Sequence, residues 1–235
     1  MMQIIRLSDR LKAIAGFIKE GASVADIGTD HGMIPVYLAQ TGLARTVYAS
    51  DISAGSLDAA LSTAEKYGVA DKINFIVAPG LDGIGDSEVD TVVITGLGGE
   101  TIATILRDAP WTRHQRISLI LQPQTKVAEL CRYLRECGYT LRRARLADDN
   151  GKLYVVMLVS GGENDSSLEP EVELIARLMH ADDPLLGRFL DELIMRAKRA
   201  LEGMRDSASP ELLEMALRLS VYVSMKEVHD NANSE

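Results

Sequence analysis

The chain has 235 residues, of which 46% are hydrophobic and 25% are charged, and its formal net charge is −9. This length predicts one full α/β domain with a small appendage, and the apolar content is sufficient for a buried core. No apolar run reaches the roughly 20 residues of a membrane span, so we expect a cytoplasmic protein without a membrane partner. The negative charge excludes indiscriminate attraction to nucleic acid, so binding RNA would require a locally basic surface.

The first 160 residues alternate short β-rich apolar runs with helical patterns, which predicts a parallel sheet with crossover helices. Ser8 is expected to cap a first helix that runs through Leu11 and Ile18. The predicted strands are 23–27, 46–50, 73–77, 91–94 and 119–121. The later predicted helices pass through 37–40 and 56–67, begin near Glu100, and span 127–136.

Residues 139–159 break this alternation, because two strand-like runs are joined only by Asp-Asp-Asn-Gly at 148–151. Such a connection is too short for a crossover helix and predicts an antiparallel hairpin, with Asn150 and Gly151 supplying positive φ angles. A parallel sheet that ends in this hairpin resembles the plan of class I methyltransferases. The predicted fold class is therefore α/β, with a Rossmann-like sheet and a terminal antiparallel hairpin. A nicotinamide-binding domain would more often continue with another βα unit.

The composition changes at residues 161–168, where Gly, Asn, Asp and Ser predict a linker. Beyond it, an apolar stripe from Leu186 to Met204 predicts a helix, and Pro210 is suited to begin another. We expect these helices to pair as an antiparallel, coiled-coil-like hairpin. The predicted domains are therefore 1–160 and 169–228, joined by the linker. The pattern leaves open whether the helical hairpin is structural, forms a homo-oligomer or binds substrate.

The two cysteines, Cys131 and Cys137, fall within one predicted helix. They are not three or four residues apart, so they do not share the spacing that a metal site or a disulfide would require. We interpret both as core or groove residues and predict no metal ion.

The segment Asp-Ile-Gly-Thr-Asp-His-Gly at 26–32 joins the first predicted strand to a helix. Glycine is needed where backbone turns sharply and approaches a cofactor. A pyrophosphate prefers helix-terminal amides without a nearby carboxylate, whereas Asp26 and Asp30 flank this loop. Carboxylates suit a ligand that carries an amino group and a sulfonium, both cationic. The alternative is that Asp26 only orders the loop.

Further candidate residues follow the later strands. Asp51 ends the second strand, where a carboxylate can accept hydrogen bonds from both ribose hydroxyls of an adenosine-containing cofactor, or can merely cap a helix. The run Thr-Gly-Leu-Gly-Gly at 95–99 would let a flat substrate approach the cofactor over bare backbone, and a tight turn explains it nearly as well. Gln122 closes the next strand and either faces the same crevice or is a polar strand end. Trp111 could stack on a base or simply pack on the surface.

Five motifs occur in the order and spacing of the bacterial tRNA adenine-N1 methyltransferases that act on adenine 22. They are Leu-Ser-Asp-Arg-Leu at 7–11, the loop at 26–32, Gly-Leu-Gly-Gly at 96–99, Leu-Ile-Leu-Gln-Pro at 119–123 and Gly-Lys-Leu-Tyr at 151–154. The sequence resembles this family over about residues 4–160, and the later helices resemble its coiled-coil appendage more loosely. Ala78 and Pro79 stand where the family usually has Gly-Asp, and Leu97 stands for a methionine.

The resemblance implies methyl transfer from S-adenosylmethionine to N1 of adenine in tRNA. We predict that Asp30 is the catalytic residue, fixing the target adenine through its exocyclic amine. The predicted cofactor-binding residues are Asp26, Gly28, Thr29, His31, Gly32, Asp51, Ile52, Gly80, Leu81 and Gly96. The predicted substrate-binding residues are Leu97, Gly98, Gly99, Gln122 and Pro123.

Two other functions remain open at this stage. One is methylation of a different substrate, such as a small molecule. The other is a non-enzymatic RNA-binding protein that retained the fold, for which Pro79 is the supporting feature. Basic residues that could contact RNA, or could simply be solvated, are Arg132 and Arg135, then Arg142, Arg143 and Arg145, then Arg196, Lys198 and Arg199.

Overall fold

The computed structural model describes residues 4–162, 166–204 and 210–233. The strands are β1 (Ala22–Ile27), β2 (Ala44–Asp51), β3 (Asn74–Val77), β4 (Thr91–Leu97), β5 (Ser118–Pro123), β6 (Tyr139–Asp149) and β7 (Lys152–Gly161). They form one sheet in the order β3-β2-β1-β4-β5-β7-β6. The pairs among β1 to β5 are parallel, and β7 is antiparallel to both β5 and β6. The predicted Rossmann-like sheet with its terminal hairpin is confirmed.

The helices begin and end close to their sequence signals. They are α1 (Asp9–Ala15), α2 (Met33–Thr41), α3 (Ala54–Lys66), α4 (Gly99–Asp108), α5 (Val127–Glu136), α6 (Pro170–His180), α7 (Leu186–Gly203) and α8 (Pro210–Ala232). Ser8 caps α1 as predicted, because its side-chain oxygen accepts a hydrogen bond from the Leu11 amide. The first helix ends at Ala15 rather than continuing to Ile18, since the Gly16 amide closes the last turn by donating to Lys12 and Ile14 carbonyls.

The central strands carry the core of the sheet. Every residue of β1 is buried, as are Thr91–Ile94 of β4 and Leu119–Pro123 of β5. Strands that are covered on both faces are expected to consist almost entirely of apolar residues, and β1, β4 and β5 follow this pattern. Because β1, β2, β4 and β5 run in the same direction, their carboxyl ends meet at one edge, where ligands bind in open α/β sheets.

The fourth strand is longer than its sequence pattern predicts. Pairing with β5 continues past Ile94, with Thr95 opposite Gln122 and Leu97 opposite Pro123, and the register shifts between these two pairs. Gly96 lies at that shift with φ 78°, a left-handed conformation that glycine adopts without strain. Strand pairing therefore extends the ladder through a glycine that, from sequence alone, marks the end of a strand.

The chain divides into two compact units, residues 1–174 and 175–235. In the first unit, the Arg135 guanidinium donates to the buried Glu173 carboxylate at 2.7 Å, which anchors the first turn of α6. This ion pair ties the start of α6 to α5 within the first unit. The linker predicted at 161–168 stays a prediction, and its residues 163–165 lie outside the described residues.

In the second unit, α7 and α8 pair in antiparallel directions. Lys226, near the end of α8, lies 3.7 Å from Asp191, near the start of α7, and Gly187 lies close to the His229 ring. Arginine and glutamate pairs four residues apart stabilise the outer helix faces. No helix among the described residues is long and apolar enough to cross a membrane.

Gly32 has no room for a side chain. It caps α2 with φ 67°, and an added Cβ would lie 2.9 Å from the Cβ of Ala60. Gly32→Ala should therefore lower the free energy of unfolding by about 1–3 kcal/mol, as overpacking does. The control is Gly55→Ala, where the nearest atom is 3.7 Å away and no left-handed angle is required. Urea denaturation of both variants checks this expectation, and equal midpoints would contradict it.

Candidate active site

The loops that follow β1, β2, β3 and β4 surround two adjoining cavities at the carboxyl edge of the sheet. The first, here called the Pro79 cavity, has a volume of about 500 Å³. The second, here called the Asp26 cavity, has a volume of about 450 Å³. Gly28, Asp51 and Leu97 line both, so the two cavities adjoin each other, and together they are here called the recess.

The structure brings most predicted site residues into this recess. Those lining the Pro79 cavity are Gly28, Asp51, Ile52, Gly80, Leu81 and Leu97. Those lining the Asp26 cavity are Asp26, Gly28, Thr29, Asp30, His31, Asp51, Gly96 and Leu97. Trp111 and Asp82 also line the Pro79 cavity, so the tryptophan lies beside a ligand-sized space.

Asp26 is the buried charge of the site, with only 4% of its surface exposed. Burial raises the pKa of its carboxyl from 3.8 to about 7, because an ionised carboxylate loses its hydration there. The Thr29 hydroxyl donates to the carboxyl at 2.8 Å and opposes the rise in pKa, whereas the negative charge of Asp51 adds to it. A cation placed in the Asp26 cavity would favour the ionised form and would be attracted by it.

Backbone hydrogen bonds hold the first loop against the end of β2. The amides of Gly28 and Thr29 both donate to the Ser50 carbonyl, at 2.8 and 3.1 Å. The Asp30 amide approaches one carboxylate oxygen of Asp51 at 3.4 Å. The other oxygen of Asp51 accepts from the Ser53 amide at 2.8 Å. Asp51 therefore orders the turn before α3, although Ser53 rather than Asp51 caps that helix, and Asp51 also lines both cavities.

Asp30 and His31 form the exposed rim of the Asp26 cavity. Asp30 adopts φ 48°, a left-handed angle that aspartate and asparagine tolerate better than most residues. The His31 ring lies 3.8 Å from its carboxylate, and both side chains are about 70% exposed. The Asp30 carboxylate is therefore accessible to a large substrate that reaches the cavity from solvent.

Arg10 belongs to this site, although the sequence analysis assigned it no role. Its guanidinium lines the Asp26 cavity and donates to the Gln122 side-chain oxygen at 2.8 Å. The same Gln122 oxygen accepts from the Gly96 amide at 3.2 Å. Arg10 also lies 3.6 Å from Asp149 and 5.3 Å from the ring centre of Tyr154. These contacts join α1 and the β6-β7 hairpin to the glycine turn after β4.

Five predicted site residues line neither cavity, and their binding roles stay predictions. They are Gly32, Gly98, Gly99, Gln122 and Pro123. Packing explains two of these glycines, since Gly32 abuts Ala60 and a Cβ on Gly99 would crowd the Lys126 carbonyl. Gln122 is fully buried and supports the Gly96 turn through the hydrogen bond already described. Among the described residues, no group of three or more His, Cys, Asp or Glu side chains could hold a metal ion.

Comparison with known proteins shows the family to which this chain belongs. Residues 7–157 match the family model of a methyltransferase domain. The chain is also 32% identical over 168 residues to the tRNA (adenine(22)-N(1))-methyltransferase of Bacillus subtilis (strain 168), covering 72% of this chain and 71% of that protein. The chain belongs to the tRNA (adenine(22)-N(1))-methyltransferase family. The sequence resemblance to this family is thereby confirmed.

Solved structures of this family share the fold. The B. subtilis M1A22 tRNA methyltransferase TrmK aligns with a TM-score of 0.83 at 26% identity, covering 94% of this chain and 99% of that one. M. capricolum TrmK, solved in complex with S-adenosyl-homocysteine, aligns with a TM-score of 0.75 at 27% identity, covering 94% and 98%. The likeness therefore extends over nearly the whole of each of these family members.

Asp26→Asn tests the burial of the carboxyl. Because the folded protein favours the protonated form, wild-type stability relative to this variant should be greatest below about pH 4. It should then fall as the pH rises to about 7, by roughly 1.4 kcal/mol for each unit of the pKa difference. Urea denaturation of both proteins between pH 4 and 8 measures this.

Thr29→Val provides the companion variant for this test. It removes the hydroxyl that stabilises the carboxylate, so the loss of stability should extend to higher pH than in the wild type. A constant difference between wild type and Asp26→Asn across the range would show that Asp26 is not held in a pKa-raising environment.

Proposed function

We propose that this chain transfers the methyl group of S-adenosylmethionine to N1 of adenine 22 in tRNA. The observation that carries the proposal is the recess at the carboxyl edge of the sheet, where buried Asp26 and half-buried Asp51 line two adjoining cavities. One carboxyl suits a cationic amino acid group and the other suits ribose hydroxyls. Membership of the family supports the reaction and both substrates.

The cofactor fits the recess with its adenosine in the Pro79 cavity and its amino acid end in the Asp26 cavity. Asp51 stands between the two and would accept from the ribose hydroxyls. Asp26 would face the ammonium group, and binding would draw its proton away because a nearby cation lowers a carboxyl pKa. The other residues proposed to hold the cofactor are Gly28, Thr29, His31, Gly32, Ile52, Gly80, Leu81 and Gly96.

Pro79 does not prevent this placement. An aspartate usually stands at that position in the family, and Asp82 lines the same cavity three residues later. The cavity wall is otherwise apolar near Ile52 and Leu81, which suits the faces of an adenine ring. We infer that the adenine is held largely by apolar contact, with Asp82 as the carboxylate available to its amino group.

The chemistry needs little from the protein beyond position. The cofactor supplies an electrophilic methyl group, and the N1 lone pair of adenine is available at neutral pH, so no strong base is required. Holding the two in line is a problem of proximity and orientation. We propose that Asp30 and the Gly96 backbone fix the adenine through its exocyclic amine. Methylation leaves a positive charge on the base, which the Asp30 carboxylate would stabilise.

The target base must reach this site from a folded RNA. N1 lies on the Watson–Crick edge, so the adenine has to leave its pair or stack, at a cost of a few kcal/mol. The exposed rim at Asp30 and His31 gives an extruded base access to the Asp26 cavity. Leu97, Gly98, Gly99, Gln122 and Pro123 are the residues proposed to form or support the surface beneath it.

The proposed function also bears on the location, the domains and the oligomeric state of the protein. A tRNA substrate implies a cytoplasmic location. The antiparallel pairing of α7 and α8 supports a coiled-coil-like C-terminal domain at 169–228, following a methyltransferase domain at 1–160. Leu213, Leu217 and Val228 of α8 are exposed apolar residues, which supports a homo-oligomer that forms through this helix.

The decisive experiment is calorimetric titration with S-adenosylmethionine, followed by methyl transfer to unmodified tRNA and mapping of the product. We expect binding and a single methylated adenine N1 at position 22. Cofactor binding without tRNA methylation would favour a different or small-molecule substrate. An absence of cofactor binding would favour the non-enzymatic RNA-binding function and would make Pro79 the first residue to restore to aspartate.

Asp30→Ala should abolish methyl transfer while cofactor affinity stays within about threefold of wild type, because the side chain lies on the exposed rim. Asp30→Asn serves as the matched variant, since it tolerates the left-handed backbone angle but carries no charge. Turnover by single-turnover assay and cofactor affinity by calorimetry separate the roles. Equal loss of both quantities would reassign Asp30 to cofactor binding.

A further inference from the structure

The outer edge of the sheet carries a row of arginines whose function is not explained by the fold. β6 is the edge strand, and its three arginines, Arg142, Arg143 and Arg145, are all exposed. Three positive charges within four residues are notable in a chain whose net charge is −9. The inference that follows rests on the proposed tRNA substrate, whose phosphate backbone carries the negative charge that such an edge would attract.

A local irregularity places these arginines together. The register of β6 against β7 shifts between Leu141, opposite Val159, and Arg143, opposite Leu158. Arg142 is the extra residue, so two consecutive arginines both reach solvent, which strict alternation along a strand would prevent. Arg142 is anchored by hydrogen bonds to the Ser160 hydroxyl and the Gly161 carbonyl. The bulge therefore concentrates charge at one point of the edge.

Arg143 and Arg145 are held against an aromatic ring. Their guanidinium carbons lie 5.3 and 6.0 Å from the ring centre of Phe17, which is itself buried. Stacking on a ring orders the side chain yet leaves guanidinium donors available, and the planar fork matches the oxygens of a phosphate. In the described part of the chain, neither arginine has a carboxylate within ion-pair distance.

The other basic clusters are partly neutralised within the protein. Arg135 pairs with buried Glu173, and Arg196 of α7 pairs with Glu192 at 2.9 Å. Lys198 and Arg199 are exposed on α7, but their unit contains more acidic than basic residues in its sequence. Arg143 and Arg145 of the β6 edge differ from these residues because an aromatic ring orders them and no described carboxylate lies within ion-pair distance of either.

The arginines lie on the same strand as Asp149, which contacts a residue of the site. Alternation puts Arg143, Arg145, Ala147 and Asp149 on one face of β6, and Asp149 lies 3.6 Å from Arg10 of the Asp26 cavity. Six residues of extended strand span roughly 20 Å, the length of several nucleotides. A phosphate backbone bound at the arginines would thus lead to the cavity where we propose that the base reacts.

We propose that the outer edge of β6 binds the phosphate backbone of the RNA substrate through Arg143 and Arg145, with Arg142 flanking them. The edge fixes the position of the RNA relative to the Asp26 cavity, and base recognition occurs elsewhere. Phosphate contacts of this kind set register and orientation without reading sequence. Association should therefore depend strongly on salt concentration.

The test replaces Arg143 and Arg145 together by glutamine. The affinity for unmodified tRNA is then measured between about 50 and 200 mM NaCl, roughly a fourfold range of salt concentration. Each lost phosphate contact should reduce the slope of log affinity against log salt by about 0.7–0.9, so the double variant should lose about 1.5. The KM for tRNA should rise at least tenfold, while kcat at saturating tRNA and cofactor affinity stay unchanged. A second variant, with lysine at both positions, should keep most of the slope because it keeps the charge.

The matched control replaces Lys198 and Arg199 of α7 by glutamine, which removes the same charge from another exposed surface. The salt slope should change by less than about half as much as in the β6 variant. An unchanged slope in the β6 variant, or a larger loss in the control, would overturn the proposal. If the β6 variant aggregated but bound tRNA normally, the arginines would serve only to block pairing of the sheet edge.

Three further outcomes show which of the two proposals fails. Wild-type methylation of tRNA with no effect of the β6 variant would refute the edge proposal alone. A wild-type protein that bound cofactor but no tRNA would refute both. Polyglutamate that displaced tRNA from the wild-type protein as effectively as unlabelled tRNA would indicate a site for acidic proteins, and the RNA proposal would fail.

Discussion

The active-site architecture depends on one carboxyl group that is kept away from water. Asp26 lies on a strand whose every residue is buried, and this burial raises its pKa to about 7. A cation placed beside Asp26 would lower the pKa of this carboxyl, because a positive charge stabilises the carboxylate. Binding of a cationic ligand is therefore linked to release of the Asp26 proton. The stability of the folded protein depends on pH for the same reason. The Thr29 hydroxyl moderates the effect, so the loop tolerates the carboxylate when the cation arrives.

A second buried polar group connects the parts of the site that are remote in sequence. The Gln122 side-chain oxygen accepts from both the Gly96 amide and the Arg10 guanidinium, and a fully buried acceptor must be satisfied in this way. Arg10 in turn meets Asp149 and Tyr154 of the hairpin. The terminal hairpin is therefore more than an edge of the sheet, since it helps to hold the wall of the Asp26 cavity through α1.

The sequence predicted the parallel sheet, the hairpin, the first loop and the convergence of Asp26 with Asp51, because each rests on a local pattern or on the direction of parallel strands. It did not predict the role of Arg10, whose hydrogen-bond partner is 112 residues away. Nor did it predict that β4 continues through Gly96, because strand pairing overrode the local signal. The bulge at Arg142 depends on the β6-β7 register, which periodicity alone does not encode.

An acidic chain that acts on an anionic substrate must restrict where that substrate can bind. At physiological ionic strength, charges separated by more than about 8 Å of solvent are largely screened, so the net charge of −9 matters less at contact than the nearest side chains. A few cations ordered by Phe17 can then dominate locally, while the surrounding negative surface weakens binding in other orientations. Repulsion and attraction together would favour the one approach that brings the RNA backbone along β6 and a base toward Asp30. An acidic composition is thus compatible with an RNA substrate and, with the proposed arginine edge, would contribute to its orientation.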